Sequence, residues 1–184
     1  MVAASKYDKT VDKIIAWSEQ DRNIESVIII GSQVRKEKPA DEWSDLDLMV
    51  LTNEPQILLN DNNWLNQFGA PVCTFIYETV LPFVKWNWLV KRVLFDDNRD
   101  IDFSILLYDQ IDDVLAINKE IISKGYQVIY GSKKPVVNQK IQTLLKNSKD
   151  TESPMPFQTE LCNDINDIQG EPRKIMFQQD LLQL

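Results

Sequence analysis

The chain has 184 residues, enough for one well-packed core, and its formal net charge of −8 disfavours a nucleic-acid-binding protein, which needs a basic face. Because the chain contains no histidine, Ser-His-Asp and Cys-His catalytic sites and histidine-ligated metals are excluded. No apolar run is long enough to cross a membrane and no signal peptide is recognisable, so we predict a cytoplasmic protein without a membrane partner.

The spacing of apolar residues predicts alternating helices and strands along the chain. In chain order these are a helix over 7–20, strands over 25–30 and 45–51, a helix over 57–68, strands over 71–80, 89–95 and 101–107, a helix over 111–124, a strand over 126–130 and a helix over 136–146. We therefore predict an α/β fold built on a mixed twisted sheet, with the helices mainly on one face.

Two local features set the organisation of this fold. The β-rich runs 89–95 and 101–107 flank a polar turn, which is the clearest hairpin signal in the chain. After Asp150 the pattern weakens and TESPMPFQTE brings two prolines, so we place a domain boundary near residue 150.

Asp45 and Asp47 are the first candidate site. Residues i and i+2 of a strand point to the same side, so the two carboxylates would lie close together and repel each other. Leu46 would pack on the opposite side of the strand. Mg²⁺ would compensate that repulsion, because it is a hard ion that prefers oxygen ligands. The alternative is an exposed strand end that carries two solvated acids.

Asp102 is the second candidate, since it lies between the apolar residues Ile101 and Phe103 on the second arm of the hairpin. A carboxylate in a sheet is costly to leave without a partner. The structural explanation is an ion pair with Arg92 or Arg99. The functional explanation is that a neighbouring strand carries Asp45 and Asp47, so that three carboxylates surround one or two metal ions.

Gly31 and Ser32 directly follow a buried strand and form the third candidate. Glycine lets the backbone approach a phosphate closely, and the free N–H groups of a following turn favour an anion. Arg35 could contact the same phosphates. The alternatives are a common Gly-Ser turn and an ordinary solvated arginine.

The pattern GS-x-x-R…WSDLDLMV, with Asp102 in RDIDFSIL, resembles the DNA polymerase β-like nucleotidyltransferases. Within them the chain looks most like the aminoglycoside 6-adenylyltransferases (streptomycin adenylyltransferases), on the segments PADEWSDLDL and KRVLFDDNRDIDFSIL. The resemblance covers roughly residues 5–150. It implies a nucleotidyltransferase domain over 1–150 and a truncated C-terminal helical region, with 151–184 a fragment or the start of a helical domain.

The resemblance also implies site roles and a reaction. Gly31 and Ser32 would hold the nucleotide phosphates, and Asp45, Asp47 and Asp102 would ligate Mg²⁺. The reaction would transfer AMP from ATP to a hydroxyl of a cationic acceptor, an aminoglycoside such as streptomycin, with Asp102 accepting the proton. This is chemistry of the antibiotic-resistance type. Family members often carry arginine directly after Gly-Ser, whereas this chain has Gln33, which shifts the phosphate contacts to Arg35.

Two alternative functions stay open at this point, and so does the meaning of the short C-terminal tail. A protein of the same fold could transfer AMP to another protein, as the minimal nucleotidyltransferase antitoxins do. A non-catalytic protein could keep the nucleotide site after losing the acceptor domain. Family members continue into a helical domain that forms much of the aminoglycoside pocket, so the short tail that ends at Leu184 implies a fragment, a homodimer that completes the site, or lost activity.

Overall fold

The computed structural model describes residues 6–79, 88–131 and 134–147. Its helices are α1 (Asp8–Gln20), α2 (Pro55–Asn60), α3 (Ile111–Ile117), α4 (Lys119–Lys124) and α5 (Lys134–Lys146). Its strands are β1 (Ile24–Ile30), β2 (Leu46–Thr52), β3 (Pro71–Thr79), β4 (Trp88–Phe95), β5 (Asp100–Leu107) and β6 (Gln127–Tyr130). None of these helices has the length and apolar character needed to cross a membrane. The predicted boundary near residue 150 and the segment 151–184 lie outside the described residues.

The strands form one six-stranded sheet in the order β3-β4-β5-β2-β1-β6. Only β2 and β5 run parallel, and the other four neighbouring pairs are antiparallel, which confirms the prediction of a mixed sheet. The predicted hairpin is also confirmed, because β4 and β5 pair antiparallel across a short turn. Asn98 has a φ of 63° in this turn, a left-handed conformation that asparagine tolerates better than most residues.

Alternate residues of the central strands point into two separate cores. Val27 and Ile29 pack with α1 and α2 in one cluster, whereas Ile28 and Ile30 pack with α3, α4 and α5 in the other. The prediction that the helices lie mainly on one face is therefore wrong. The physical reason is the unbroken apolar run 27–30, which must be covered on both sides of the sheet. We call these sides the α1 face and the α3 face.

The helix predicted over 57–68 is wrong as a single element. The structure has α2 followed by a 3₁₀ turn over Asn63–Gln67. Trp64 Nε1 donates to the carbonyls of Leu58 (3.1 Å) and Asp61 (2.8 Å), and the ammonium of Lys91 donates to the same two carbonyls. These side-chain donors satisfy the carbonyl groups at the end of α2, which would otherwise need backbone N–H groups from a further helical turn.

The helix predicted over 111–124 is also divided, into α3 and α4, with Asn118 between them. Asn118 is buried, and its side-chain amide donates to the carbonyl of Val114 at 2.8 Å. A side-chain amide that bonds a carbonyl of the preceding turn competes with the regular helical pattern. Gly125 ends α4 as predicted.

Candidate active site

Two Asp-x-Asp segments lie side by side at one end of the parallel strand pair. The register of β2 and β5 sets Leu46 opposite Ile101 and Asp47 opposite Asp102. Leu46 and Ile101 are buried in the core of the α1 face, so the aspartates point to the α3 face. Asp45, Asp47 and Asp102 each offer a carboxylate oxygen within 4.8 Å of the other two. The fold thus brings together the three predicted carboxylates.

Asp100 is a fourth carboxylate of this cluster, and sequence reasoning missed it. It stands two residues before Asp102 on β5, so both side chains share a face. The signal was present, because Asp100-Ile101-Asp102 repeats the spacing of Asp45-Leu46-Asp47.

Arg92 is the cation that contacts this cluster. It lies on β4 directly opposite Asp102. Its guanidinium donates to Oδ2 of Asp102 at 3.3 Å and of Asp45 at 3.4 Å, and it also pairs with Asp100. Of the two partners predicted for Asp102, Arg92 is confirmed. Arg99 points away from the cluster and pairs instead with Asp97, the backbone carbonyl of Phe68 and the hydroxyl of Thr10.

Burial and mutual repulsion raise the pKa values of two of the carboxyls. The pKa of Asp47 rises to about 7, first because of burial and then because of the charges of Asp45 and Asp102. Burial likewise raises the pKa of Asp102 to about 6, against the opposing effects of Arg92 and of a hydrogen bond from Tyr77. One guanidinium therefore does not fully compensate the charge of the cluster.

Gly31 lies against this cluster and ends β1. Its φ is 75°, and a Cβ built on it would come within 2.3 Å of Asp47 Oδ2. Any other residue would strain the backbone and displace the carboxylate. Glycine is therefore needed at position 31 to leave space for the carboxylate of Asp47, a requirement that the sequence alone did not reveal.

The residues after Gly31 fix the start of β2. Gln33 donates from Nε2 to the carbonyl of Asp45 at 2.9 Å, and Ser32 Oγ lies 3.5 Å from the same oxygen. These contacts orient the backbone that carries Asp45. Arg35 donates from Nε to the carbonyl of Lys38, within the loop that follows. Phosphate binding by Ser32 and Arg35 stays a prediction.

Tyr7 supports the cluster from the other side of the sheet. Its buried hydroxyl lies 2.9 Å from the carbonyl of Asp100 and 3.1 Å from the carbonyl of Ser44, the residue before Asp45. Burial raises the pKa of Tyr7 to about 12, so the hydroxyl keeps its proton. A single side chain thus ties the starts of both Asp-x-Asp segments together.

The donor set fits a hard divalent cation. Asp45, Asp47 and Asp102 each offer a carboxylate oxygen, the ligand that Mg²⁺ and Mn²⁺ prefer. Asp102 Oδ1 is buried and has no hydrogen-bond partner among the residues that the structure describes. A buried acceptor without a donor costs about 1–3 kcal/mol, and a bound cation would offset that cost.

The metal-free protein is expected to lose stability as the pH rises from about 5 to about 8. Asp47, which faces Asp45, Asp100, Asp102 and Arg92, holds its proton in the folded state at a pH where the unfolded chain has released it. Rising pH therefore favours unfolding, by about 2–3 kcal/mol over this range. No histidine titrates in this window.

Urea unfolding in EDTA at both pH values measures this effect in wild type and in Asp47→Asn. The variant lacks the group that ionises, so its free energy of unfolding should change much less between the two conditions. Equal pH dependence in the two proteins would show that Asp47 does not carry the effect.

The region that holds the site is also the region that matches a known family. A family model described as Streptomycin adenylyltransferase matches residues 5–150. The chain belongs to this family. The matched range includes Asp45, Asp47, Asp100, Asp102, Arg92 and Gly31, and it spans the whole described sheet.

Two curated relatives carry the name aminoglycoside 6-adenylyltransferase. The protein of Bacillus subtilis (strain 168) is 22% identical over 114 residues, which are 61% of this chain and 40% of the relative. The protein of Campylobacter jejuni is 24% identical over 110 residues, which are 59% of this chain and 38% of the relative. The chain thus spans about two fifths of the length of these relatives.

A solved structure is also similar, that of an aminoglycoside 6-adenyltransferase from Bacillus subtilis. It superposes with a TM-score of 0.44 at 17% identity, over 62% of this chain and 40% of that one.

Proposed function

We propose that this protein transfers AMP from MgATP to a hydroxyl of an aminoglycoside such as streptomycin. The observation that carries the proposal is the cluster of Asp45, Asp47 and Asp102, whose carboxylate oxygens lie within 4.8 Å of one another in a chain of the streptomycin adenylyltransferase family. Gly31 borders the cluster at the end of a buried strand, where a triphosphate would approach the backbone.

Each proposed role follows from the chemistry of the group. Asp45, Asp47 and Asp102 would hold Mg²⁺, which when bound supplies charge stabilisation for the triphosphate. The acceptor hydroxyl oxygen bonds to the α-phosphorus of ATP, the bond from that phosphorus to the bridging oxygen breaks, and pyrophosphate leaves with the electron pair. The proton of the hydroxyl passes to Asp102. Gly31 and Ser32 would position the phosphates.

The acceptor class is supported by charge. An aminoglycoside is a polyamine with several hydroxyls, and the formal net charge of this chain is −8. Acidic surroundings attract such a cation and favour its approach to the site. Charge alone does not select one aminoglycoside, so a panel is needed.

Pyrophosphate release in MgATP is the direct test. With streptomycin or another member of an aminoglycoside panel, release should exceed the acceptor-free rate by about a hundredfold, because a bound hydroxyl is far better placed than water. Asp45→Asn should remove the release, and Asp12→Asn on the opposite face should not. Labelled AMP that appears on a protein instead would establish the antitoxin-like alternative. MgATP binding without any transfer would establish the non-catalytic one.

A further inference from the structure

Tyr77 reaches the acidic cluster from the edge strand β3. Its register partner on β4 is Val90, and Phe75 on the same side of β3 stands opposite Arg92, so Tyr77 also points to the α3 face. The residue is 37% exposed, yet its hydroxyl donates to Asp102 Oδ2 at 3.0 Å. An edge strand thus carries a half-exposed ring whose polar end is directed at one carboxylate oxygen.

The two oxygens of Asp102 are in different situations. Oδ2 accepts from the Tyr77 hydroxyl and from Arg92 Nη1, which lies 3.3 Å away. Oδ1 is buried and accepts from no donor within the described ranges. Two donors on one oxygen fix the rotation of the carboxylate, so the remaining acceptor capacity belongs to the other oxygen.

We propose that Tyr77 is a positioning residue, which together with Arg92 holds Oδ2 of Asp102 and so makes Oδ1 the oxygen that Asp102 offers to the metal. The assignment rests on the proposed function. Groups that orient a metal ligand typically change metal affinity or activity by about 10–100-fold when they are removed.

Tyr77 suits this role better than a charged residue would. Burial, and after it the charge of Asp102, raises the pKa of Tyr77 above the ordinary value, so the hydroxyl remains a neutral donor throughout the working pH range. It orients the carboxylate without adding a second positive charge, which would compete with the metal for the same cluster. Arg92, by contrast, both orients the cluster and opposes a bound cation.

The test is Mn²⁺ binding to the full chain of Tyr77→Phe, measured by electron paramagnetic resonance titration. The substitution removes one hydroxyl, keeps the ring and changes no formal charge. We expect the Mn²⁺ affinity to fall about tenfold, with the melting temperature within about 2 °C of wild type, because the ring is half-exposed and its packing is retained. In the transfer assay kcat should fall while KM for the acceptor stays unchanged.

Tyr126→Phe is the matched control, since Tyr126 precedes β6 at the opposite edge of the sheet. It should bind Mn²⁺ as wild type does. If wild type binds Mn²⁺ and Tyr77→Phe binds it within twofold as tightly, the positioning role is overturned and the proposed function stands. If wild type binds no Mn²⁺, the proposed function is overturned and the assignment with it.

Discussion

Asp102→Asn is expected to remove transferase activity while leaving the metal-free protein as stable as wild type, or more stable. These two effects have opposite signs because the carboxylate is unfavourable in the folded apo state and necessary for the reaction. Functional residues often carry this kind of local cost.

The stability effect follows from the surroundings of Asp102. Its pKa is raised to about 6, so above that pH its charge is disfavoured by folding, mainly through burial. Asparagine can keep its oxygen toward Tyr77 and Arg92 and turn its amide toward the neighbouring carboxylates. The substitution therefore removes a repulsion between carboxylates and adds a hydrogen-bond donor, which should raise the free energy of unfolding by about 1–3 kcal/mol at pH 8. Loss of the ion pair with Arg92 reduces this gain.

The functional effect follows from the loss of one anionic ligand and of the proton acceptor. At a hundredfold excess over its dissociation constant, MgATP stabilises the folded protein by about 2.7 kcal/mol. Tenfold weaker binding by Asp102→Asn would lower this by about 1.4 kcal/mol. The transfer rate should fall by about a thousandfold or more, because removal of a general base alone costs about 10²–10⁴.

Thermal melting with and without MgATP, combined with the pyrophosphate assay, measures both effects. Asp12→Asn is the control, since it makes the same change in net charge on a helix of the α1 face. An unchanged MgATP shift and wild-type turnover in Asp102→Asn would mean that the residue only pairs with Arg92 and Tyr77. A clear loss of apo stability would contradict the inference that the charge of Asp102 is unfavourable in the folded, metal-free protein.

Local patterns in the sequence were sufficient to predict much of this fold. The hairpin of β4 and β5 is encoded by two β-rich runs around a polar turn, and each run could be identified without knowledge of the other. The approach of Asp102 to Asp47 required one more step, because it depends on the parallel pairing of β2 with β5, and β2 ends at Thr52 whereas β5 begins only at Asp100. The Asp-x-Asp spacing made it reasonable to expect Asp102 near Asp45 and Asp47. It could not predict the register of β2 with β5, which sets Asp47 directly opposite Asp102.

Two of the misses originate in long-range contacts. Helix 57–68 has a helical pattern, but the buried ammonium of Lys91, from a strand about 30 residues later, binds the carbonyls at the end of α2. The contact of Tyr77 with Asp102 was equally hidden, since on an alternating edge strand Tyr77 differs from Phe75 only by a hydroxyl whose partner lies two strands away. Such contacts are decided by tertiary packing and leave no local signal.

Lys91→Met is expected to destabilise the protein by about 2–4 kcal/mol. Lys91 is completely buried on β4, and its ammonium donates to the carbonyls of Leu58 (2.6 Å) and Asp61 (2.8 Å) and to Asn62 Oδ1 (2.7 Å). Methionine has nearly the same length and keeps the apolar contacts of the stem, so the change removes mainly the ammonium and its three hydrogen bonds.

Two effects make the expected loss of stability in Lys91→Met smaller without cancelling it. Burial lowers the pKa of Lys91, so the variant is relieved of the cost of a desolvated charge. The carbonyls of Leu58 and Asp61 also keep their bonds from Trp64 Nε1, whereas Asn62 Oδ1 loses its donor. The remaining loss comes from charge-assisted bonds that hold α2 and the 3₁₀ turn against the sheet, at about 1.5–3 kcal/mol each before these offsets.

Lys91 and Arg92 are neighbours on β4, so the Lys91→Met variant also tests whether a change on the α1 face affects the acidic cluster on the α3 face. Neighbouring residues of a strand point to opposite faces, so Lys91 supports the α1 face while Arg92 contacts the acidic cluster on the α3 face.

Urea unfolding should show the loss of stability in Lys91→Met and none in Lys9→Met, whose lysine is exposed on α1. Well below its melting temperature, Lys91→Met should bind Mn²⁺ as tightly as wild type. A stability change under about 0.5 kcal/mol would show that the ammonium contributes nothing net, and a weakened Mn²⁺ affinity would show that the two faces are coupled through β4.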